Sequence, residues 1–531
     1  MTVSYDQVPY PSYSFGVSHP DHMATLAALL GMNPEPVEHC KVLELGCASG
    51  GNLIPMAVGL PQSEFLGIDY SSCQIGDGQT AAAALDLNNI QLRHMDIMDA
   101  TADLGQFHYI IVHGIYSWVP DPVRDKILQI CKQNLAPNGV AYISYNAYPG
   151  WYMLRAVREM MLYHTRNVTE PQMRVAQSRA LLEFLVESVP AEAGSAHTLL
   201  NAYSDLIKKE TERWKTHADA YILHDELEEV NEPFYFYQFA ERAARHGLQY
   251  LTDANFSDVF PGNLSPKVRE NLFKMAHSLV EMEQYMDFLR GETFRRTLLV
   301  HEGVPITRSV RADRLPTLYI ASPAVPASSD PDIHSVSIEQ FRNAEGAMLT
   351  IDHPVSKAAM MCLGEIWPRI VPFDILLNAA YTRLDLSATV TAAQRVRDAQ
   401  VLCANLLKAF AYNNRLVELH SYVPQFVTDV TERPVASPYA RYLAQDNLQV
   451  TNLRHERVDL NKGARYLLCR LDGKHDRAAL LDGLLKLKEE GTLVIHRDEK
   501  PVEDIQEAKE LIAHDMEHDL RMLARAALLV A

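Results

Sequence analysis

Short apolar segments alternate with helical stretches over residues 41–150. The segments KVLELGC, EFLGIDYS, IQLRHMDI, FHYIIVHGIY and GVAYISYNA each have the length and apolar content of a strand buried in a sheet. The stretches between them are helical, and the last, PVRDKILQICKQNLAPNG, should be stopped by Pro137 and Gly139. This alternation predicts parallel strands joined by right-handed crossovers, and therefore an α/β fold with a doubly wound sheet.

From Trp151 to about Glu232 the pattern is helical throughout. Its mostly apolar faces must be buried against the core domain or against a second copy of the chain. The positions on these faces are Val175, Leu182, Leu185, Val189, Leu199, Tyr203, Leu206, Thr211 and Trp214. Strand patterns return in GLQYLTDANF and from Arg295 to His301. We interpret these as the sixth and seventh strands of the same sheet, which closes the core domain near Val304.

The rest of the chain predicts two smaller, α-rich units. The first follows SPAVPASSDPDIHS, a Pro- and Ser-rich stretch that indicates a linker or a surface loop. The predicted division is an N-terminal arm or lid (1–40), core strands one to five (41–150), a helical insert (151–232), core strands six and seven (233–304), a middle domain (305–425) and a C-terminal domain (426–531).

The charge balance argues against nucleic acid as a partner. The 531 residues include 49 basic and 67 acidic ones, a net charge of -18, which repels a phosphate backbone and favours a cationic partner such as a lysine-bearing peptide. Solubility alone also accounts for such a charge. The seven cysteines are scattered without a C-x-x-C pair, and we find no signal peptide and no apolar run of membrane-spanning length. These features predict a cytoplasmic protein with no structural zinc and no membrane insertion.

The glycine-rich turn after the first strand predicts a cofactor site. ELGCASGG, from Glu44 to Gly51, has the form E-x-G-x-A-x-G-G, and its glycines allow a sharp turn and a close approach to a ligand. A nicotinamide dinucleotide fingerprint would be G-x-G-x-x-G, with a pyrophosphate at the helix N-terminus. Glu44 would repel a pyrophosphate but would attract the ammonium group of a methionine moiety. The turn therefore indicates S-adenosyl-L-methionine.

Two further acids follow the next strands. Asp69 ends the second strand, where a carboxylate can accept from both ribose hydroxyls, although a dinucleotide would use the same group. Asp96 follows the third strand, where it could accept from the adenine amine. The alternative for each is a helix N-cap or a solvated loop. The complete candidate set for the cofactor is Tyr13, Glu44, Gly46, Ala48, Gly50, Asn52, Asp69, Tyr70, Asp96, Ile97 and His113.

VLELGCASGGNLIPMA, GIDYS and HGIYSWVP resemble the class I S-adenosylmethionine-dependent methyltransferases. Over nearly its whole length the chain is similar to the bacterial group with a methyltransferase regulatory domain, which includes rickettsial protein lysine methyltransferases. YDQVPYPSYSFGVSHP, HDELEEVNEPFYF and NLRHERVDL carry that likeness. The resemblance implies a seven-stranded Rossmann-like core with an antiparallel last strand, a helical dimerisation insert, a homodimer, and winged-helix-like middle and C-terminal domains.

One position departs from the family pattern. Ala48 stands where the second glycine of the class I turn usually lies. A methyl group there should be tolerated if the backbone angles remain negative.

The end of the fourth strand is where the methyl acceptor should lie. Methyl transfer is an in-line displacement that requires alignment and one proton acceptor, with no metal. The candidate catalytic residues are His113, Tyr116, Trp118 and Tyr145, with Asn146 and Tyr148 adding hydrogen bonds and another ring. Aromatic rings can hold a lysine by cation–π attraction, although packing between sheet and helix is an equal alternative. His113 is either a proton acceptor or a buried, hydrogen-bonded histidine.

Two other segments carry candidate chemistry. Tyr5, Tyr10, Tyr13 and Phe15 form an aromatic arm that we interpret as a lid over the cofactor, or alternatively as a segment packed elsewhere on the core. HDELEEVNE, residues 224–232, has five acids and no base; it could attract a basic substrate, but a solvated turn is the favoured interpretation.

The leading hypothesis is a methyltransferase acting on protein lysine. This hypothesis combines the aromatic set, the acidic charge and the family resemblance. The alternatives are a small-molecule N- or O-methyltransferase, and a non-catalytic S-adenosylmethionine-binding protein that works as a dimeric scaffold.

Overall fold

Seven strands form one central sheet in the order β3-β2-β1-β4-β5-β7-β6. The computed structural model describes residues 10–189, 198–494, 496–497, 500–502 and 504–531. The strands are β1 (Lys41–Leu45), β2 (Glu64–Asp69), β3 (Ile90–His94), β4 (Phe107–Val112), β5 (Leu135–Asn146), β6 (Leu248–Asp253) and β7 (Phe294–His301). Strands β1 to β5 pair in parallel, and β7 runs antiparallel between β5 and β6. The predicted α/β class and the antiparallel last strand are confirmed.

Both faces of this sheet are buried. Along β4, Tyr109 and Ile111 belong to one hydrophobic cluster, whereas Ile110 and Val112 belong to another. Successive side chains of a strand point to opposite faces, so the two clusters lie on opposite sides of the sheet. The helices of this region are Pro20–Leu29, Leu53–Gly59, Ser72–Ala84, Asp121–Asn134, Phe236–Arg245, Phe256–Val259, Pro266–Met275 and Leu279–Arg290. Burial on both faces explains why these strands are continuous apolar runs.

The helix before β5 ends earlier than the sequence predicted. It spans Asp121–Asn134, and β5 begins at once with Leu135, whereas we expected helix as far as Gly139. Pro137 has no amide hydrogen and holds the residue before it in an extended conformation, so the chain leaves the helix before the proline. Leu135 then pairs with Phe107 of β4.

The helical insert has a hydrophobic cluster of its own. Its helices are Trp151–Thr165, Pro171–Ser188, Thr198–Thr216 and Asp219–Tyr221, and the π-helical turn Ile222–Glu226 follows. Val157, Met161, Val175, Leu182 and Trp214 are buried together in this cluster. The predicted apolar faces are therefore buried largely against one another rather than against the core domain.

The middle region combines two small sheets with three helices. Its strands are β8 (Tyr319–Ala321), β9 (Val325–Pro326), β10 (Glu339–Arg342), β11 (Met348–Ile351), β12 (Val371–Pro372) and β13 (Glu418–His420), and its helices are Pro354–Ile366, Phe373–Arg383 and Ala392–Tyr412. The Pro- and Ser-rich stretch contains β9 and continues as an ordered loop toward β10. In this loop the carbonyl oxygens of Ser335 (2.9 Å) and Ser337 (3.0 Å) accept from Nζ of the buried Lys357. The stretch is therefore part of the middle region and not an extended linker.

The C-terminal region has a separate hydrophobic cluster that includes Val450, Leu467 and Leu520. Its strands are β14 (Gln449–Thr451), β15 (Arg457–Asp459), β16 (His496–Arg497) and β17 (Lys500–Pro501), and its helices are Pro438–Leu443, Lys462–Arg470, Arg477–Glu489 and Ile505–Arg525. In the part of the chain that the structure describes, no helix is both long and apolar enough to cross a membrane.

Candidate functional site

A cavity of about 710 Å³ lies at the carboxyl ends of the central strands. Ten of the predicted cofactor residues line it: Tyr13, Glu44, Gly46, Ala48, Asn52, Asp69, Tyr70, Asp96, Ile97 and His113. Parallel strands place their carboxyl ends at one edge of a sheet, and ligands of open α/β sheets bind there. The structure therefore brings these residues together around one space.

The turn after β1 owes its shape to residues with positive φ. Gly46 and Gly50 have φ of 73° and 76°. A Cβ on Gly46 would lie 2.3 Å from Cδ1 of Ile115, so no other residue fits there. Gly50, in contrast, faces Leu92 and Ile54 and shapes the turn without lining the cavity.

The condition set for tolerating Ala48, negative backbone angles, is not met. Its φ is 49°, in the left-handed region that glycine adopts at little cost. The amide of Ala48 donates to Oδ2 of Asp69 at 2.8 Å, and this bond helps to hold the left-handed conformation. The family glycine at this position therefore has a conformational reason, and the alanine is accommodated with some strain.

Glu44 is a buried carboxylate with an unsatisfied oxygen. The side chain is 3% exposed; Oε1 accepts from Nδ2 of Asn52 at 2.9 Å, and Oε2 has no hydrogen-bond partner in the described structure. Burial raises the pKa of Glu44 to about 8, and the nearby charge of Asp69 adds to the rise. An unpaired buried oxygen at the cavity wall fits the ammonium group of S-adenosylmethionine, which would satisfy it.

Asp69 is held rigidly at the end of β2. Its Oδ2 accepts from the amide of Ala48 and its Oδ1 from the amide of Ser71, both at 2.8 Å. A carboxylate oxygen can accept more than one hydrogen bond, so this fixed group fits a pair of ribose hydroxyls.

Asp96 is a helix N-cap, which is one of the two interpretations that the sequence left open. Its Oδ1 accepts from the amide of Met98 at 2.8 Å and so caps the short helix Ile97–Asp99. The same residue also lines the cavity.

The N-terminal arm lies against the glycine turn. Oγ of Ser12 accepts from the amide of Gly51 at 2.8 Å, and the Phe15 ring stacks on His113 with centroids 3.7 Å apart. Tyr10, Tyr13 and Phe15 all line the cavity, whereas Tyr5 lies outside the described residues. This placement supports the interpretation of the arm as a lid.

His113 is a buried, hydrogen-bonded histidine. Its Nδ1 lies 2.9 Å from the Tyr142 hydroxyl. Burial lowers the pKa of His113 to about 3, and the charge of Arg296 lowers it further, so the ring stays neutral near pH 7. A ring with so low a pKa is a weak proton acceptor, and the second interpretation of His113 is the one that the geometry favours.

The aromatic candidates separate into two groups. Trp118 and Asn146 line the cavity, and Nε1 of Trp118 is buried without a partner in the described structure. Tyr116 and Tyr145 instead lie in the hydrophobic core against Phe239, with ring centroids 5.1 and 4.2 Å away. The expectation that these two tyrosines face the methyl acceptor does not match the structure.

Strand geometry explains part of this difference. Successive residues of a strand point to opposite faces, so Asn146 and not Tyr145 faces the cavity. Tyr148 lies beyond the cavity, where it stacks on Tyr152 at 4.0 Å and accepts from Arg155. Tyr116 packs in the core, as the alternative interpretation held.

The acidic run at the end of the insert forms part of the cavity wall, which the sequence did not predict. His224, Asp225 and Glu226 line the cavity from the π-helical turn Ile222–Glu226, and π-helical turns occur frequently at functional sites. His224 and Glu226 are 1% and 2% exposed, so the favoured interpretation of a solvated turn is wrong for them. Five acids with no base in nine residues was the signal that could have found this wall.

The two acids of this turn differ in their contacts. Asp225 accepts from the Tyr10 hydroxyl at 3.5 Å, whereas Glu226 has no hydrogen bond or ion pair within the described residues. Burial raises the pKa of Asp225 to about 6 and that of Glu226 to about 7, while the charge of Arg213 opposes both shifts. The cavity therefore holds carboxyl groups that titrate near neutral pH.

The C-terminal region also reaches the cavity. Arg457, the first residue of β15, lines it and lies over the Tyr13 ring at 5.0 Å from the centroid. Arg457 lies in NLRHERVDL, a segment that carries the family likeness, but the sequence did not assign it to the cavity, because that placement depends on a contact with the opposite end of the chain.

Three family models match the chain. The family described as "Methyltransferase domain" matches residues 42–139, "Predicted methyltransferase regulatory domain" matches residues 218–301, and "PKMT, C-terminal winged helix domain" matches residues 432–528. The regulatory segment thus includes the π-helical turn together with β6 and β7. The C-terminal winged helix agrees with the fold that the sequence predicted there.

An uncharacterized protein of Rickettsia prowazekii (strain Madrid E) is 37% identical to this chain over 512 residues, which cover 95% of this chain and 90% of that protein. The chain belongs to the class I S-adenosylmethionine-dependent methyltransferases with a methyltransferase regulatory domain. This methyltransferase is also 26% identical over 386 residues to an uncharacterized protein of Synechocystis sp., covering 71% of this chain and 73% of that one.

A solved structure of high similarity supports the cofactor. PKMT2 from Rickettsia typhi, in complex with S-adenosylhomocysteine (AdoHcy), matches with a TM-score of 0.85 and 29% identity, covering 98% of this chain and all of that one. This methyltransferase is therefore an S-adenosylmethionine-dependent enzyme, and the unpaired oxygen of Glu44 and the fixed carboxylate of Asp69 suit that cofactor.

Proposed function

We propose that this methyltransferase transfers methyl groups to lysine side chains of a protein. The observation that carries the proposal is the position of Glu226 in the wall of the cavity that also holds Glu44 and Asp69. Glu226 is a buried carboxyl group with no hydrogen bond within the described residues, and the charges of Arg213 and Arg158 offset only part of the effect of burial on its pKa. The matched winged helix family and the solved relative both bear the name PKMT, for protein lysine methyltransferase, which supports the same substrate class.

The cofactor half of the cavity is formed by the strand ends. We assign the ammonium group of S-adenosylmethionine to Glu44, the ribose hydroxyls to Asp69 and the adenine amine to Asp96. The bound cofactor supplies an electrophilic methyl group on a sulfonium. Tyr10, Tyr13 and Phe15 of the arm exclude water from this half of the cavity.

The acceptor half must turn an ammonium into an amine. A lysine ammonium has an ordinary pKa near 10.4, and burial lowers that value because it disfavours the charged form. Burial raises the pKa of Glu226 to about 7, so the ionised form is available near neutral pH and can attract the ammonium. One of its carboxylate oxygens then accepts the proton that the amine must lose before it attacks the methyl group.

Trp118 provides the apolar side of the acceptor site. It lines the cavity beside His113 and Ile115, and an indole face attracts a lysine cation more strongly than the other aromatic rings do. The ring limits the approach of the side chain to one direction, which aligns the amine with the methyl–sulfur bond.

Mass spectrometry tests the substrate class. The enzyme is incubated with S-adenosylmethionine and either lysine-containing proteins and peptides or a panel of small amines and hydroxy compounds. We expect mass increments of methyl groups on lysine. Methylation of a small compound alone would replace the proposal with a small-molecule methyltransferase, and AdoHcy binding without any product would indicate a scaffold.

A matched pair of aromatic variants tests the acceptor site. Trp118→Ala should reduce turnover about tenfold or more while AdoHcy affinity stays within about twofold, because the ring contacts the acceptor and not the cofactor. Tyr116→Phe removes a buried hydroxyl that has no partner in the described structure, and it should change neither property. If Trp118→Ala loses AdoHcy affinity but keeps normal turnover in the fraction of enzyme that has bound cofactor, the acceptor must bind elsewhere.

The same proposal includes a homodimer in the cytoplasm. The insert exposes large apolar side chains, among them Tyr152 (51%), Tyr163 (69%) and Phe184 (61%), which a second copy would cover. All seven cysteines are free thiols, which supports a reducing compartment. Light scattering should give twice the mass of one chain, and Phe184→Asp should shift the protein toward monomer; a monomer at every micromolar concentration would contradict the dimer.

A further inference from the structure

A loop of the C-terminal winged helix domain packs against Asn52, which lines the cofactor half of the cavity. Residues 452–456 join β14 to β15, and the loop is closed by a hydrogen bond from the Asn452 amide to the Glu456 carbonyl oxygen at 2.9 Å. Oδ1 of Asn452 also accepts from the amides of Arg454 (2.9 Å) and Glu456 (2.8 Å). His455 projects from this rigid loop and is 5% exposed.

His455 contacts the residue that holds Glu44. Its Nε2 lies 2.9 Å from Oδ1 of Asn52, and that oxygen also accepts from the Phe15 amide at 3.0 Å. The Nδ2 atom of Asn52 donates to Oε1 of Glu44 at 2.9 Å and to Oγ of Ser18 at 3.1 Å. Asn52 is itself 3% exposed, so its side chain has a full set of partners in the protein interior.

These contacts determine which way the Asn52 amide points. The backbone amide of Phe15 can only donate, so the Asn52 side-chain atom that faces it must be the oxygen. That oxygen can accept a second hydrogen bond only if His455 carries its proton on Nε2. The NH₂ group then faces Glu44, and a carboxylate accepts from it. A reversed amide would set its NH₂ group against the Phe15 N–H and would leave the Glu44 carboxylate facing an oxygen.

We infer that His455 is a positioning residue of the cofactor site: it holds the Asn52 amide, and through it the Glu44 carboxylate, in the orientation that receives the ammonium group of S-adenosylmethionine. The inference rests on the assignment of that ammonium to Glu44 and is independent of the methyl acceptor. It makes the C-terminal domain a part of the cofactor site and not only a neighbour of it.

The properties of His455 suit this role. Burial lowers its pKa well below the ordinary value of 6.5, and the charge of His19 acts in the same direction, so the ring stays neutral with one N–H. Its φ of 63° lies in the left-handed region, where histidine and asparagine are enriched. A second contact from the same domain supports the docking, since Oγ1 of Thr451 lies 3.2 Å from Oγ of Ser14 in the arm.

Calorimetric titration of the full chain with two ligands tests the inference. AdoHcy carries the ammonium group, whereas 5′-methylthioadenosine has the same nucleoside without it. His455→Asn keeps a residue suited to the backbone, but its shorter side chain cannot reach Asn52. It should weaken AdoHcy binding about fivefold, the worth of one hydrogen bond, and leave 5′-methylthioadenosine affinity unchanged.

A rescuing variant separates positioning from damage to the fold. Nε2 of a glutamine lies the same number of bonds from Cα as Nε2 of histidine, so His455→Gln should recover most of the AdoHcy affinity. His475→Asn is the matched control, because His475 belongs to the same domain, is partly exposed and bonds Asp472 at 2.9 Å. It should change neither affinity.

A double-mutant cycle distinguishes the two ways in which the inference can fail. If His455 acts through Glu44, His455→Asn should have no further effect on AdoHcy affinity in a Glu44→Gln background. Equal weakening of both ligands by His455→Asn, or additive effects in the double variant, would overturn the positioning role. If Glu44→Gln itself does not weaken AdoHcy binding, the assignment of the ammonium to Glu44 is wrong.

Discussion

The two halves of the cavity are built in different ways. The cofactor half takes Glu44, Asp69 and Asp96 from the ends of β1 and β2 and from the residues after β3, so neighbouring strands of one sheet supply it. The proposed acceptor half takes Asp225 and Glu226 from the π-helical turn near the end of the insert. Regular backbone positions the first set, whereas the second depends on how a separate segment docks.

This difference determines what each half can tolerate. Asp69 is held by backbone amides, from Ser71 of its own turn and from Ala48 of the turn after β1. Glu226 has no such hydrogen bonds within the described residues, and the charges of Arg213 and Arg158 offset only part of the effect of burial on its pKa. Asp69 is therefore preorganised, whereas Glu226 and the unpaired oxygen of Glu44 are completed by the cations that we propose they bind.

The largest expected effect belongs to the acceptor half. Glu226→Gln keeps the shape of the side chain but cannot accept the proton of the acceptor amine, so turnover should fall about a hundredfold. AdoHcy affinity should stay within about twofold, because Glu226 does not contact the cofactor half. Initial rates and calorimetry check both values. Glu229→Gln, an exposed acid of the same run, is the control; equal losses in both variants would dismiss a specific role for Glu226.

The next effect belongs to the cofactor half. Asp69→Ala removes a charged acceptor of the ribose hydroxyls and two bonds that shape the turn, so AdoHcy affinity should fall about thirtyfold or more. Asp77→Ala removes an exposed acid from the following helix and should have no effect. Unchanged AdoHcy affinity in Asp69→Ala would show that Asp69 does not bind the cofactor, and the proposed division of the cavity into two halves would then be wrong.

A smaller and pH-dependent effect comes from Glu44. Its pKa of about 8 means that the free protein carries a proton there at pH 7, and an ammonium can be received only after that proton leaves. Binding should therefore release about one proton at pH 7, and AdoHcy affinity should fall about tenfold for each pH unit below 8. Asp225 and Glu226 also titrate in this pH range. The control is therefore Glu44→Gln, in which the part of the pH dependence that comes from Glu44 should disappear. Calorimetry in buffers of different ionisation enthalpy counts the protons, and equal release in both proteins would contradict the role of Glu44.

The smallest effect concerns the turn itself. Ala48→Gly relieves a positive φ and should raise the free energy of unfolding by about 0.5–1 kcal/mol, with AdoHcy affinity unchanged. Ala57→Gly, the same change inside the helix Leu53–Gly59, should lower it by about 1 kcal/mol or more. Chemical denaturation compares the two. If Ala48→Gly is also destabilising, the methyl group has a packing role that outweighs the strain.

The sheet and the cofactor half were predictable because their signals are local. Buried runs mark the strands, and the turn after β1 and the acid at the end of β2 lie within a few residues of the strands that position them. The same reasoning explains the errors at Tyr116 and Tyr145. Their sequence position near the edge of the sheet was correct, but the direction of a side chain depends on strand alternation and on Phe239, which comes from a distant helix.

The acceptor half was not predictable from local patterns. The acids of residues 224–232 are exposed or buried according to where the insert docks, and nothing within that segment determines its docking. His455 and Arg457 present the same difficulty, since NLRHERVDL carries the family likeness but nothing within that segment shows that it packs against the cofactor site. Long-range contacts determine these roles, and a single sequence carries no record of such contacts.

The cavity takes Tyr10 from one end of the chain and Arg457 from the other. The ribosome synthesises the sheet and its glycine turn long before the winged helix domain, and domains generally fold as they emerge. A nascent chain would therefore have its strand-end acids in place while the loop that carries His455 was still unsynthesised. Cofactor binding would reach full strength only on the finished chain, and it stabilises the folded form in proportion to the logarithm of cofactor concentration. In the cell, S-adenosylmethionine would thus stabilise chains in which the N-terminal arm and the C-terminal domain already pack together.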